Sequence, residues 1–166
     1  MQKRDLVFNK RIKIRFIIFA VLSAAVLAFI FFNSSRTPDE SNGMSIGVMD
    51  AILRLMDPNG VLDHRIVHII VRKSAHFIEY AVYGGCLCGM AAAWHDGTRR
   101  FYASLTLLTA ILSAVVDEII QGFFARTSSP VDVLLDFTGS AAGVCVMYLI
   151  SRAISKRKKS NEKQTE

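Results

Sequence analysis

The sequence predicts an all-α membrane protein, a bundle of four transmembrane helices with an amphipathic interfacial helix between spans 1 and 2. Two observations predict this class. First, 52% of the 166 residues are hydrophobic and the mean hydropathy is +0.35, which is too apolar for an ordinary soluble domain. Second, the charged residues lie between long apolar runs rather than throughout the chain. We therefore expect one domain whose main partner is the lipid bilayer.

The first span is predicted at 16–32, an apolar run without charge that follows a basic N-terminal segment at 1–15. A run of this length lies within the range that crosses a bilayer. A cleaved signal peptide is the competing interpretation. However, the run is longer than such peptides carry, and Phe31, Phe32 and Asn33 make a poor cleavage site. We therefore expect an uncleaved membrane anchor.

The segment 33–73 is predicted to lie outside the membrane and to contain amphipathic helices. Its first part, 33–43, is polar, contains Pro38 and shows no periodicity, so we expect a linker there. Apolar residues at helical spacing predict a short amphipathic helix over 45–57, followed by an Asp-Pro-Asn-Gly turn. A second helix begins near Asp63, which is a suitable N-cap, and either ends before the next span or continues into it.

Three further spans are predicted at 74–94, 101–116 and 130–150. Together they form a core domain at 74–151. The chain ends in a basic, polar tail at 152–166, which we expect to be disordered.

Small residues inside the predicted spans are expected to serve in packing. Glycines four residues apart let helices approach closely, and two such pairs occur: Gly85 with Gly89, and Gly139 with Gly143. The cysteines lie in apolar runs without disulfide or zinc-site spacing, so we expect buried packing residues: Cys86, Cys88 and Cys145.

The distribution of basic residues predicts the orientation. Fourteen of the 20 Lys and Arg residues lie on one side of the predicted bundle, in the N-terminal segment, the 95–100 loop and the tail. By the positive-inside rule, both termini of this multi-pass protein are cytoplasmic, in the cell membrane. These residues form no stripe with interleaved aromatics, so nucleic acid is excluded as a partner. A homo-oligomer remains open.

Polar residues inside the spans are the candidate functional residues, because a charge at mid-bilayer costs at least about 2.5 kcal/mol and requires a partner or water. The predicted topology brings three groups of them to the outer ends of their spans. The ten candidates for this polar pocket are Arg72, Lys73, His76, Glu79, Asp117, Glu118, Gln121, Arg126, Asp132 and Asp136. Together they hold five acids and three Lys or Arg, and such an excess attracts a cation or a proton.

The roles of single candidates differ. Asp136 is the strongest, because it lies one turn beyond Asp132 and is too deep to cap its helix. Asp132 itself follows Ser129 in a capping arrangement, which is a structural role. His76 with Glu79 could be a hydrogen-bonded pair, a proton relay or metal ligands, and spacing does not choose among these. The carboxylates would suit Mg²⁺ or Ca²⁺ better than zinc, but no metal ligand is assigned.

Three motifs follow one another in the second half of the chain. They are Arg-Lys-Ser-Ala-His-Phe-Ile-Glu-Tyr at 72–80, Asp-Glu-Ile-Ile-Gln at 117–121, and Arg126 followed by Asp-Val-Leu-Leu-Asp at 132–136 with Gly139 and Gly143. This order resembles the VanZ-like family of small multi-span membrane proteins, over about 71–150. The resemblance implies a protein of the bacterial cell envelope, since the name-giving member is associated with low-level teicoplanin resistance. It implies no reaction.

Three functions remain open. The first is an outward-facing pocket that binds or acts on a lipid-linked envelope precursor, a glycopeptide or another amphiphile, with Arg72, Lys73 and Arg126 for an anionic group. The second is a membrane-embedded, metal-dependent hydrolase or transferase with His76 or Glu79 as general base. The third is a small proton-coupled carrier or an assembly factor. No catalytic residue and no cofactor follows from the sequence.

Overall fold

The computed structural model describes residues 3–57, 62–98, 103–124, 126 and 129–164. The described residues form helices without strands, so the all-α class is confirmed. In chain order the helices are α1 (Lys3–Ser34), α2 (Pro38–Met56), α3 (His64–Thr98), α4 (Ala103–Phe123) and α5 (Pro130–Gln164).

Three of these helices are long and apolar enough to cross a membrane. The spans are Lys10–Ser34 in α1, Ser104–Phe123 in α4 and Pro130–Ile154 in α5. Their outer faces expose large apolar side chains, among them Val21 and Leu149. Exposing such surface to water costs about 25 cal/mol per Å², whereas lipid tails accept it. The protein is therefore an all-α membrane protein.

The α3 helix runs without interruption for 35 residues. The backbone N–H of Arg65 donates to Asp63 Oδ1 at 2.8 Å, which makes Asp63 the N-cap. The helix that begins there thus continues directly into the second predicted span. Its first half carries the charged motif, so α3 is not among the three apolar spans. It packs most extensively against α5 and α1.

The polar segment predicted as a linker at 33–43 is largely helical, so that prediction was wrong. The α1 helix extends to Ser34 and α2 begins at Pro38, which leaves only 35–37 between them. Proline fits the first turn of a helix, because its missing N–H would have no intrahelical partner there. A polar segment that contains proline can therefore begin a helix.

The second half of α2 coincides with the amphipathic helix predicted at 45–57. Met49 and Leu53, four residues apart, are buried, whereas Val48 is exposed. The α2 helix packs against α3. The predicted Asp-Pro-Asn-Gly turn lies mostly outside the described residues, but Asp57 Oδ2 accepts a hydrogen bond from the Leu62 N–H at 2.7 Å.

Two helices are longer at their C-terminal ends than the sequence predicts. The α4 helix continues to Phe123, beyond the end of the span predicted at 101–116. The α5 helix continues to Gln164, so the backbone of the tail is helical rather than disordered. Burial of the cysteines also differs from expectation: Cys88 is buried, Cys86 is half-buried, and Cys145 is exposed.

The backbones of α3 and α5 are in direct contact at glycines. A Cβ at Gly139 would lie 2.5 Å from the carbonyl oxygen of Phe77, and one at Gly143 would overlap the carbonyl of Ala81. Neither neighbour is a flexible side-chain end that could move away. The two helices therefore depend on these residues having no side chain.

Two further glycines lie at tight contacts. A Cβ at Gly84 would overlap the backbone of Ser140, and one at Gly89 would lie 2.5 Å from the ring of Phe19 in α1. Gly84 was not among the glycines singled out in the sequence, because it belongs to no four-residue pair. By contrast, a Cβ at Gly85 would meet only an ordinary contact at 3.7 Å.

Buried tyrosines link α3 to α4 and α5. Tyr80 Oη donates to the Ser113 carbonyl at 3.3 Å, and Tyr83 Oη shares a hydrogen bond of 3.0 Å with Ser113 Oγ. The Ser140 hydroxyl donates to the Tyr80 carbonyl at 3.2 Å. Satisfied polar groups of this kind fix the rotation of each helix against its neighbours.

The glycine contacts predict a sharp difference between two alanine substitutions. Gly143→Ala should destabilise the protein by about 1–3 kcal/mol or more, because the methyl group overlaps backbone that cannot rotate away. Gly85→Ala, at the same interface, should have little effect, because its Cβ would meet only an ordinary contact. Thermal unfolding of both variants in detergent measures this, and equal melting temperatures would contradict the close α3–α5 packing.

Candidate functional site

Polar side chains from four helices meet at one end of the bundle. They come from the end of α1, the first half of α3, the end of α4 and the start of α5, and one lies in the connection between α4 and α5. Five of the ten sequence candidates are almost completely buried: Asp117, Glu118, Gln121, Arg126 and Asp136. Because buried polar groups need partners, the contacts of each residue show which groups have a structural role and which remain unsatisfied.

Three side chains from three different helices converge most closely. One potential ligand atom each of His76, Asp117 and Asp136 lies within 4.8 Å of the other two. Asp117 is 0% and Asp136 2% exposed, while His76 is half-buried. The site thus holds two carboxylates and an imidazole close enough to share a proton or a metal ion.

The Asp117 carboxyl group lies close to the side chains of Ser34 and Gln121. Gln121 Nε2, one turn further along α4, donates to Asp117 Oδ2 at 3.0 Å. The other oxygen, Asp117 Oδ1, is buried and has no hydrogen-bond partner among the described residues, and the same holds for His76 Nδ1. Three further buried atoms at this end of the bundle also lack a partner among the described residues: Ser34 Oγ, Glu118 Oε2 and Arg126 Nε.

Arg126 is the buried cation of the site, with 7% of its surface exposed. Its Nη1 donates to the carbonyl of Asn33 at 3.3 Å, and its Nη2 lies 3.4 Å from His76 Nε2. Its backbone N–H donates to the Gln121 carbonyl at 3.1 Å, which closes the turn after α4. Burial lowers the pKa of the guanidinium, Arg72 adds to this, and Asp117 opposes it.

The α1 helix contributes a residue that the sequence did not single out. Asn33 Nδ2 donates to Glu79 Oε1 at 3.1 Å, while the Asn33 carbonyl receives the Arg126 guanidinium. This asparagine therefore bridges α3 and the α4–α5 connection. Its position directly after an apolar span could have marked Asn33 as a candidate site residue, but the residue was assigned to the linker.

Glu118 has a structural role at the start of α5. The Ser129 backbone N–H donates to Glu118 Oε1, and the Val131 N–H donates to Ser129 Oγ at 3.2 Å. Ser129 is thus the N-cap, as predicted. The carboxylate that completes the capping arrangement comes from α4, however, and not from Asp132.

Asp132 instead forms an ion pair with Lys73 at the edge of the site. The two side chains are 29% and 46% exposed, so this pair lies outside the buried group. The structure therefore separates a surface pair from the buried residues, although all were predicted as one cluster.

A cavity of about 580 Å³ lies between the end of α1, α2 and the first half of α3. Its walls are largely apolar and include Val48, Ile52, Val67, Ile70, Val71 and Ile78. Three arginines also line it: Arg36, Arg72 and Arg126. Arg36 was not among the sequence candidates.

A smaller cavity of about 240 Å³ lies between α3, the end of α4 and the start of α5. It is more polar, and its lining includes Lys73, Asp132 and Asp136. Arg72 and His76 line both cavities, so these two side chains form the boundary between them.

The VanZ/LLP1 family model matches residues 19–151, which is most of the chain. The chain belongs to the VanZ/LLP1 family. The prediction from the three motifs is therefore confirmed, and the match extends further than the 71–150 expected from them. It includes most of α1, the helix that supplies Asn33. No curated protein and no solved structure matches this VanZ/LLP1 chain.

The two basic residues Arg126 and Lys73 should respond differently to removal of their charge. Arg126→Gln should lower the free energy of unfolding by more than about 1 kcal/mol, because it leaves buried acceptors without their donor. Lys73→Gln should cost less than about 1 kcal/mol, because its ion pair is exposed. Melting temperatures in detergent compare them, and a larger loss for Lys73→Gln would show that the surface pair matters more.

Proposed function

We propose that this VanZ/LLP1 protein binds an anionic amphiphile of the cell envelope in the larger cavity. The observation that carries the proposal is the lining of that cavity, in which apolar walls lie beside Arg36, Arg72 and Arg126. A lipid-linked envelope precursor or a glycopeptide would be the ligand class, with a contribution to teicoplanin-type resistance as the consequence in the cell.

The apolar part of the ligand would lie between α2 and α3. Val48 and Ile52 of α2 face the cavity together with Ile70 and Ile78 of α3. The volume of about 580 Å³ falls within the range of small-molecule sites. Each methylene group buried there contributes about 0.8 kcal/mol, so an acyl chain supplies affinity without specific contacts.

The anionic group of the ligand would lie at the arginines, and we favour a phosphate. A guanidinium presents a planar fork of donors that fits phosphate oxygens in pairs. Arg126 is held by Asn33, and the Arg36 guanidinium lies 5.0 Å from the centre of the Phe32 ring. These two contacts support a basic group whose geometry exists before the ligand binds.

The orientation belongs to the same proposal. We place α3 across the membrane as well, which gives four spans in total, because α5 and α1 pack along it and its second half is apolar. With both termini in the cytoplasm, α2 would lie at the outer surface and the cavity would open toward the outer leaflet.

The orientation predicts where a cysteine at position 43 can be labelled. Gly43→Cys is well suited, because nothing lies within 4 Å of a Cβ there. In a background without the three native cysteines, a membrane-impermeant maleimide should label this variant in intact cells. Lys163→Cys, the matched control near the C-terminal end of α5, should react only after lysis. The reverse pattern would place the cavity on the cytoplasmic side.

Ligand binding predicts a selective effect of Arg72. Purified protein should bind dodecyl phosphate more tightly than dodecanol or inorganic phosphate, because only the first offers both an anion and a chain. Arg72→Gln should weaken this binding about 10-fold, as expected for a charged hydrogen bond. Arg54→Gln, on the exposed side of α2, is the matched control and should not change it.

Two results would contradict the amphiphile site. Equal weakening by Arg72→Gln and Arg54→Gln would indicate attraction to net charge alone. Inorganic phosphate that binds as well as dodecyl phosphate would indicate a phosphate site without a role for the apolar walls. In cells, Arg72→Gln should reduce any teicoplanin resistance that the wild-type protein confers, at equal abundance in the membrane.

A metal-dependent hydrolase or transferase is the second candidate function. The convergence of His76, Asp117 and Asp136 favours it, because general base catalysis and metal activation of water both use such groups.

A further inference from the structure

We propose that His76, Asp117 and Asp136 form a binding site for one divalent cation of the zinc or manganese class. The site takes one ligand from each of α3, α4 and α5, and two of these, His76 and Asp136, line the smaller cavity. It goes beyond the amphiphile cavity and does not depend on it, because an ion can bind there whether or not the larger cavity holds a ligand.

The distances suit an ion. Three atoms no more than 4.8 Å apart all lie within about 2.8 Å (4.8/√3) of a common point. Zinc bonds to imidazole nitrogen and carboxylate oxygen measure about 2.0–2.2 Å. Each side chain therefore needs to move by less than about 1 Å to complete the bonds, which small rotations supply.

Two buried atoms without a hydrogen-bond partner belong to the proposed ligands. Asp117 is completely buried, Gln121 holds its Oδ2, and its Oδ1 has no partner among the described residues. His76 Nδ1 is also buried without a partner. An acceptor oxygen and a ring nitrogen left unpaired in this way are what a bound cation would satisfy.

The charges of the buried residues agree with a divalent ion. Three carboxylates are buried at this end of the bundle, those of Asp117, Glu118 and Asp136, together with one guanidinium, that of Arg126. When all three carboxyl groups are ionised, two negative charges remain in a region of low dielectric, where uncompensated charge is costly. One divalent cation balances them.

The donor set selects the class of metal. One imidazole with two carboxylates is a nitrogen and oxygen set that suits Zn²⁺ or Mn²⁺, whereas Mg²⁺ and Ca²⁺ prefer oxygen alone. The expectation of Mg²⁺ or Ca²⁺ from sequence relied on four carboxylates. Two of these are engaged elsewhere, since Glu118 bonds the start of α5 and Asp132 pairs with Lys73.

Binding requires one local change. A cation on His76 Nδ1 leaves the ring proton on Nε2, which then faces the donor Nη2 of Arg126 at 3.4 Å. This contact must lengthen when the ion binds, while the Arg126 bond to Asn33 can remain. Three protein ligands also leave an open coordination position, as in metal sites that bind water or substrate.

Metal binding to the purified full-length protein tests the proposal. Protein prepared in detergent with a tag that lacks histidine is depleted of metal, and titrated with Zn²⁺ by calorimetry and with Mn²⁺ by electron paramagnetic resonance. Wild type should bind one ion per chain. Asp136→Asn and His76→Gln should each weaken binding by at least about 100-fold, since even an outer-shell change costs 10–100-fold.

Asp132→Asn is the matched control, because this carboxylate lies one turn before Asp136 on the same helix but pairs with Lys73. It should weaken binding much less than either ligand substitution, because it removes only a neighbouring charge. An equal loss in Asp132→Asn would move the ion to the exposed edge and overturn the proposal. If Asp136→Asn fails to fold, as judged by helicity and elution volume, His76→Gln decides the question.

A wild-type protein that binds neither ion would also overturn the proposal. In that case, a rise in melting temperature in Asp136→Asn would indicate that the charges of the two carboxylates repel each other without a bound ion between them. Failure of the amphiphile site is distinguishable, because Arg72→Gln should weaken dodecyl phosphate binding without changing the number of ions bound.

Discussion

Charge held at one end of an apolar bundle is the constraint on which the rest of this structure depends. Asp117, Glu118 and Asp136 are buried together with Arg126, in helices whose outer faces expose large apolar side chains. A charge in lipid costs at least about 2.5 kcal/mol, so these groups require the neighbouring helices around them. The hydrogen bond from the Ser129 N–H to Glu118 shows how this works, because it satisfies one oxygen of an acid and helps to cap α5.

The contact between α3 and α5 determines which of these groups face each other. Gly139 lies against the carbonyl of Phe77, and a Cβ would leave only 2.5 Å between them. Phe77 follows His76 in sequence, and Gly139 lies three residues after Asp136, on the same face of α5. The glycine contact therefore brings the imidazole beside the carboxylate. A wider separation of these two helices would open the site, even though no site residue had changed.

Features that depend on a single helix, such as its apolar span and its polar face, were predicted well from the sequence. Side-chain contacts between different helices were predicted less well. Apolar runs located the three apolar spans, and helical spacing placed His76 and Glu79 on one face. Which residue satisfies Glu79 was not predictable, because Asn33 reaches it from a helix 46 positions earlier in the chain. Likewise, nothing in the sequence near Asp132 indicates that Lys73 pairs with it while Glu118 takes the capping position.

The two proposed ligands, an anionic amphiphile and a divalent cation, would interact electrostatically across the boundary between the two cavities. Arg72 and His76 line both cavities, so a phosphate that pairs with Arg72 adds negative charge beside the smaller one. Negative charge there favours a cation at His76, Asp117 and Asp136, since the effective dielectric constant is low among these helices. Because binding free energies are linked reciprocally, the cation must then strengthen phosphate binding by the same factor. The two sites would then be coupled energetically, although each can be occupied alone and only His76 belongs to both.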